Sequence, residues 1–304
     1  MADGSTRVVY VALAGNTLVA VTKFIAAVIS GSSSMLTEAI HSTTDTANQL
    51  LLIVGDRRSR ARADAGHDFG YGMEIYYWTF AVAIMILVAG GVLSLYTGWV
   101  RFHSPKPIAR VPLSLIVLGL CAIFEGVSFM FAYREYRRVA GRHVIPGFPV
   151  GLGTFIRLSK DPNLFEPLLE DGAALVGLAI AAAGVIVTHL GIVWADGAAS
   201  MAIGALLIVV AFAILIATKG LMGGEAVAPP LRSDIDRAIA ACCVSIQVRG
   251  VKTLHLGPRT ILIALSITAG NGLSSATVKS ELHSLRVRLR RVDPRIRYVL
   301  ADLE

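Results

Sequence analysis

His41 and Asp45 stand four residues apart inside a long apolar stretch, in the run Thr37-Glu38-Ala39-Ile40-His41-Ser42-Thr43-Thr44-Asp45. On a helix that spacing puts both side chains on one face, about one turn from each other. Ionisable groups at membrane depth are costly and mark ion paths, so an imidazole and a carboxylate placed this way read as half of a metal site. Two ligands rarely complete a tetrahedral site, so others must come from another segment. Glu170 and Asp171, with Glu166 one turn earlier, precede Gly172-Ala173-Ala174, small residues that let helices approach closely. Asn48, one turn beyond Asp45, offers an amide oxygen or a hydrogen bond to a ligand. Imidazole with carboxylates suits zinc or another borderline divalent cation, whereas calcium and magnesium prefer oxygen alone. The structural readings remain open beside this one: a polar interhelical pair at His41 and Asp45, helix-start acids at Glu170 and Asp171, and a surface acid at Glu166.

The elements that must position these groups follow from composition. The 304-residue chain is 55% apolar and 16% charged, with a mean hydropathy of +0.66, which is too apolar for an average soluble domain. About 20 apolar residues cross the hydrocarbon core as a helix, and six stretches qualify, near Val8–Ser30, Ser34–Gly55, Tyr71–Thr97, Val111–Tyr133, Phe165–His189 and Asp196–Thr218. The first run is read as a span and not as a cleavable signal, because it is as long as a spanning helix and lacks a small-residue cleavage site. Basic residues follow span two (Arg57, Arg58, Arg60, Arg62) and span four (Arg134, Arg137, Arg138, Arg142), which places both termini in the cytoplasm. The plasma (inner) membrane is the expected location, although the charges do not choose the membrane. Arg101, Lys106 and Arg110 run against that rule. The net charge of +7 is then topology and lipid contact, not a nucleic-acid footprint.

Other polar residues divide between structure and transport. Asn16 and Lys23 share one face of span one and should turn toward protein. Gly31-Ser32-Ser33-Ser34 supplies a tight reversal and a serine cap for span two. Asp64, His67 and Asp68 in the polar link, with Glu74 at the entry to span three, are either an entry or second cation site or a solvated loop with capping acids. Glu125 lies deep in span four, and Asp196 reads as a cap for span six. The segment Glu135–Asn163 reads as basic, Pro- and Gly-containing chain. Cys121, Cys242 and Cys243 form no CxxC pair, and the adjacent two read as small apolar residues of a helix, one buried and one half-exposed.

The tail, 221–304, reads as an α+β unit separate from the transport domain at 1–220. It should contain a helix capped at Ser233 and running through Ala241, strands at Val251–His255 and Ile261–Ile267, a helix from Ser274 or Ser275 to Arg291, and a strand at Arg297–Asp302. Gly257-Pro258-Arg259 should turn an antiparallel hairpin. One sheet with two helices on one face fits that order.

The residues Gly31-Ser32-Ser33-Ser34-Met35-Leu36-Thr37-Glu38-Ala39-Ile40-His41-Ser42, with Asp45 and Asn48-Gln49, then His67-Asp68-Phe69-Gly70-Tyr71-Gly72, resemble the cation diffusion facilitator family of cation-efflux proteins. The resemblance covers nearly the whole chain. It implies a homodimeric secondary transporter that moves zinc or a similar divalent cation out of the cytoplasm in exchange for protons, with a metallochaperone-like tail that mediates dimerisation. His41 and Asp45 match the family's span-two ligands. Where the common span-five pattern places His or Asp and then Asp, this chain has Ala174 and Leu178. Leu168-Leu169-Glu170-Asp171-Gly172-Ala173-Ala174 is similar to the branch that includes the animal mitochondrial zinc transporter. The tail offers His255 and His283 as its imidazoles, which argues against a metal cluster there.

The expectation is therefore a six-helix membrane transporter whose partners are a divalent ion, protons, the bilayer and a second copy, with no cofactor beyond the transported ion. Iron, manganese, cobalt or nickel stand as alternatives to zinc, and a channel or a non-transporting receptor or assembly protein stands as the alternative to a transporter. An enzyme is disfavoured, because no nucleophile and base pair or phosphate-binding loop is visible.

Overall fold

The computed structural model describes residues 2–142, 152–241, 246–269 and 274–303, so Cys242 and Cys243 lie outside the described residues. The chain divides into two compact units. One holds Met1–Val54, Trp78–Gly141 and Asn163–Ile216; the other holds Gly55–Tyr77, Arg142–Pro162 and Ala217–Glu304.

Long helices build the first unit: α1 (Ala2–Ser30), α2 (Ser33–Ser59), α3 (Glu74–His103), α4 (Val111–Arg142), α6 (Pro162–His189) and α7 (Ala195–Met222). Between α4 and α6 lies the short α5 (Leu152–Ser159), which belongs to the second unit. Four of the long helices, α3, α4, α6 and α7, are long and apolar enough to cross a membrane, with mean hydropathy of 2.2, 2.2, 1.9 and 2.8. Among the described residues α1 contributes the shorter apolar stretch Gly15–Ser30. The polar residues that make α2 chemically interesting also keep it out of that apolar set.

Close approach of backbones explains how the helices pack. A Cβ on Gly98 of α3 would lie 2.7 Å from the Met201 nitrogen of α7, and one on Gly184 of α6 would lie 2.5 Å from the Ala199 Cβ. Small residues thus let α3 and α6 each approach α7 closely. Within α3, residues Ile86–Val92 form a π-helical segment that contains Gly90 and Gly91. Nothing in the periodicity had signalled it.

One expectation about the connections changes, and another gains a partner. The segment 135–163 is more helical than its Pro and Gly content suggests, since α4 continues to Arg142 and α5 follows with Phe155 buried. The turn into α2 has the expected reversal and serine cap: Gly31 takes the left-handed conformation at φ +67°, and the Ser32 hydroxyl accepts from the Met35 amide at 3.2 Å. Asp196 of α7 adds to this cap. That carboxylate accepts from the Ser33 amide at 2.5 Å, the Ser34 amide at 3.1 Å and the Ser32, Ser33 and Ser34 hydroxyls at 2.5, 2.9 and 2.5 Å.

In the second unit α8 (Pro229–Ala240) begins four residues before the expected cap at Ser233. Pro229 and Pro230 occupy positions where a helix needs no amide hydrogen, so the prolines open the helix instead of preceding it. The Ser233 hydroxyl donates back to the Pro229 carbonyl at 3.1 Å. Strands β1 (Ile246–Gly257) and β2 (Thr260–Ala269) pair antiparallel through the Gly257-Pro258-Arg259 turn, and both are longer than the sequence suggested. Helix α9 (Ser275–Val292), capped by Ser274 accepting from the Thr277 amide, leads to β3 (Ile296–Leu303), which lies parallel to β2. The order is β1-β2-β3. Ile261, Ile263, Leu265 and Ile267 alternate inward along β2 to meet Ile235 and Ile239 of α8 and Leu285 and Leu289 of α9, so both helices cover one face.

Candidate functional site

Helices α2, α4 and α6 bring their polar residues to one cavity of about 80 Å³, lined among others by Asp45, Glu125, Ser128, Glu170 and Asp171. Asn16 of α1 and Gln49 also reach it. Glu170 is buried, and its Oε1 accepts a short hydrogen bond from the Asn48 amide nitrogen. Asp171 accepts from the Ser128 hydroxyl at 2.7 Å. Three of the four expected cation ligands therefore face the same small space, and Asn48 holds one of them in place.

His41 lies one turn back along α2, with 1% of its surface exposed. Its Nδ1 stands 3.3 Å from Asp45 Oδ1, and neither ring nitrogen makes a hydrogen bond among the described residues. Asp45 Oδ1, Asn48 Oδ1 and Glu166 Oε1 are likewise buried without a hydrogen-bond partner. Buried polar atoms are nearly always satisfied, so unsatisfied atoms on His41, Asp45 and Asn48 along one face of α2, with Glu166 of α6, ask for a ligand. The lone pairs of imidazole and carboxylate suit a divalent cation.

Glu166 corrects the reading of that residue as a surface acid, because it is 1% exposed. A carboxylate one turn into a helix can cap or be solvated only if its face meets water, and this face of α6 meets protein.

Sequence reasoning did not find a second charged group beside the cavity. Lys23 of α1 and Glu38 of α2 are both fully buried, with Lys23 Nζ donating to Glu38 Oε2 at 3.2 Å and to the Ser42 hydroxyl at 2.7 Å. Glu125 Oε1 lies 3.8 Å from the same ammonium. Gly177 of α6 makes room for this pair, since a Cβ there would stand 2.5 Å from Glu38 Oε1. The polar character of Lys23 was visible in the sequence, but its partner lies on another helix.

The polar link holds its residues for a different geometry. Asp64 Oδ1 accepts from the Gly66 and His67 amides, each at 2.9 Å, and Oδ2 accepts from the Tyr71 hydroxyl at 2.8 Å. The Tyr71 bond foremost, then the Gly66 amide, hold this exposed carboxyl below its ordinary pKa. His67 Nδ1 stands 3.8 Å from Asp64 Oδ1, Asp68 is exposed, and Glu74 lies 3.9 Å from Arg58. Among the described residues no three His, Cys, Asp or Glu side chains come together as a ready metal cage.

Apolar helices long enough to cross a membrane, with carboxylates gathered at a shared cavity beside a buried imidazole, mark an integral membrane protein. Residues 9–220 match the cation efflux transmembrane domain, and the chain belongs to that family, the cation diffusion facilitators. Its members are transporters and not enzymes. The chain is 34% identical over 222 residues to the human (Homo sapiens) proton-coupled zinc antiporter SLC30A9, mitochondrial, covering 72% of this chain and 38% of that protein. It is 31% identical over 255 residues to metal tolerance protein C4 of Arabidopsis thaliana, covering 84% of this chain and 55% of that one. Zinc transporter ZitB of Pectobacterium atrosepticum is 30% identical over 103 residues, covering 34% of this chain and 32% of that protein. The chain thus spans from about a third to just over half the length of these relatives.

Proposed function

We propose that this chain is a secondary transporter that exports a divalent cation, zinc before iron, manganese, cobalt or nickel, from the cytoplasm in exchange for protons. The observation that carries the reading is the convergence of Asp45, Glu170 and Asp171 on one cavity beside His41, whose two buried ring nitrogens have no hydrogen-bond partner among the described residues. The zinc antiporter and zinc transporter among the relatives support the choice of ion and of counter-ion.

In this reading all six long helices cross the membrane, α1 and α2 included, with both termini in the cytoplasm. Helices packed on every side can bury polar faces that an isolated span could not. His41, Asp45 and Glu170 bind the cation, Asp171 completes or balances its charge, and Asn48 orients Glu170. Metal ligands bind only when deprotonated, so a proton arriving at the same groups competes with the cation and couples two gradients. The tail, residues 221–304, pairs two copies.

The test is zinc uptake into proteoliposomes under an imposed pH gradient. Transport should collapse in His41→Ala and in Asp45→Ala, and zinc-driven proton movement should collapse with it. Wild-type rates in both variants would overturn the proposal, and zinc flux without proton movement would leave a uniporter.

A further inference from the structure

We propose that the second unit carries an anion site for a phosphate group, borne either by an anionic phospholipid or by a soluble phosphate compound. Its cavity, of about 350 Å³, is lined by Arg60, Arg62, Arg259 and Arg297 together with Tyr71 and Tyr298, and no acid is among its lining residues. That volume lies at the lower end of the roughly 300–1,000 Å³ usual for small-ligand pockets.

The charge is only partly answered. Asp56 pairs with Arg60 at 2.6 Å and also with Arg259. Among the described residues no acid reaches ion-pair distance of Arg62 or Arg297, and both are exposed. Guanidinium groups present planar, forked donors that match phosphate oxygens in pairs, and several of them around one concavity raise the local concentration of anions. Tyr298 adds a neutral hydroxyl to the lining, whereas the Tyr71 hydroxyl is committed to Asp64 at 2.8 Å.

The walls are fixed by close backbone contact. A Cβ on Gly72 would stand 2.3 Å from the Leu256 carbonyl, and one on Gly257 would stand 2.5 Å from the Gly72 carbonyl. Gly70, at φ +79°, turns the chain between them. Phe69 packs edge-on against Tyr298 at 5.2 Å. The Phe69-Gly70-Tyr71-Gly72 segment is thus pressed against the hairpin tip and β3, and this contact shapes the cavity. Gly72 is two residues from Glu74, where α3 starts.

The experiment uses the full chain with a chelator present, so that its outcome does not depend on cation transport. Thermal unfolding is followed in detergent micelles against inorganic pyrophosphate, and in phosphatidylcholine nanodiscs with and without phosphatidylglycerol. Two variants are compared with wild type: R62Q/R297Q in the cavity, and R286Q/R291Q, which removes equal charge from exposed positions of α9. Saturable stabilisation by pyrophosphate identifies a soluble ligand, and stabilisation by phosphatidylglycerol alone identifies a lipid headgroup. In either case the half-saturating amount should rise about tenfold or more in R62Q/R297Q and stay unchanged in R286Q/R291Q. No saturable stabilisation by either probe would overturn the proposal, and so would an equal loss in both variants, which would mean diffuse electrostatic attraction.

Discussion

The fully buried Lys23 and Glu38 pair makes a prediction with an asymmetry built in. Lys23 Nζ lies 3.2 Å from Glu38 and 3.8 Å from Glu125. With an effective dielectric of about 20, these distances correspond to attractions on the order of 5 and 4 kcal/mol before any desolvation cost. Lys23→Met removes both contacts and leaves two carboxylates facing each other, so it should cost about 3–5 kcal/mol, the range for orphaning a buried charge. Glu38→Met leaves Lys23 with Glu125 and with the Ser42 hydroxyl at 2.7 Å, so its cost should be roughly half as large. The double variant K23M/E38M replaces the pair with two flexible apolar chains of similar length and leaves only the partly exposed Glu125 without its counter-charge, so it should cost less than Lys23→Met alone. The assay is unfolding of each purified variant in detergent, followed by tryptophan fluorescence and read as a double-mutant cycle. A double-variant cost equal to the sum of the singles, or a Lys23→Met cost no larger than that of Glu38→Met, would refute the reasoning.

Three further outcomes follow from particular contacts. Gly177→Ala places a methyl 2.5 Å from Glu38 Oε1 and should destabilise by about 1–3 kcal/mol, and the same substitution should cost much less when G177A/E38A is compared with E38A alone in the same unfolding assay. Asp196→Ala leaves three buried serine hydroxyls and the start of α2 without their acceptor, so it should cost about 3 kcal/mol or more, while Asp196→Asn should recover part of that, read as change in melting temperature. His255 is buried, and that burial, with Arg295 nearby, lowers its pKa to about 4 from an unfolded value near 6.5. Its native form therefore binds fewer protons than the unfolded chain between those values, so stability is full above pH 6.5 and falls by up to about 3 kcal/mol as pH drops toward 4. Asp293 acts in a lower window: burial opposes ionisation, but Arg295 overcomes it and lowers the pKa, so its contribution is lost only as pH falls below about 3.9. Hydrogen exchange of β1 amides in the full chain should show the upper slope, and His255→Gln should abolish it.

What the sequence made legible was local or periodic. The four-residue spacing of His41 and Asp45, the glycine and alanine of spans five and six, the Ser274 cap and the hairpin at Gly257-Pro258-Arg259 each depend on neighbours within about one turn. The misread residues depend on partners far along the chain. Glu166 looked like a surface acid because its burial is decided by the helices that cover α6. Asp196 looked like a cap for its own helix, yet it serves serines more than 160 residues away. Lys23 gave its polarity but not its partner. Ser233 was a sound cap by residue type, and the prolines before it overrode that preference because they can occupy the first turn themselves.

The departure in span five now has a physical counterpart in span two. Ala174 and Leu178 occupy the positions where the family's common pattern offers ligands, and both are buried and apolar. Donors on α6 must come from elsewhere, and Glu170 lies one turn closer to the helix start. On α2 the matching polar atom is Asn48, nearly one turn beyond Asp45, and it is Asn48 that bonds Glu170. A displaced carboxylate on one helix is met by a displaced amide on the other, which supports the proposed reading of a ligand set shifted by one turn. Glu125 then links the two charged groups, lining the cavity while lying 3.8 Å from Lys23. Under the proposed function the fixed ammonium would offset part of the negative charge that Asp45, Glu170 and Asp171 place around a cation, and selection among divalent ions would then depend on α1 as well as on α2 and α6.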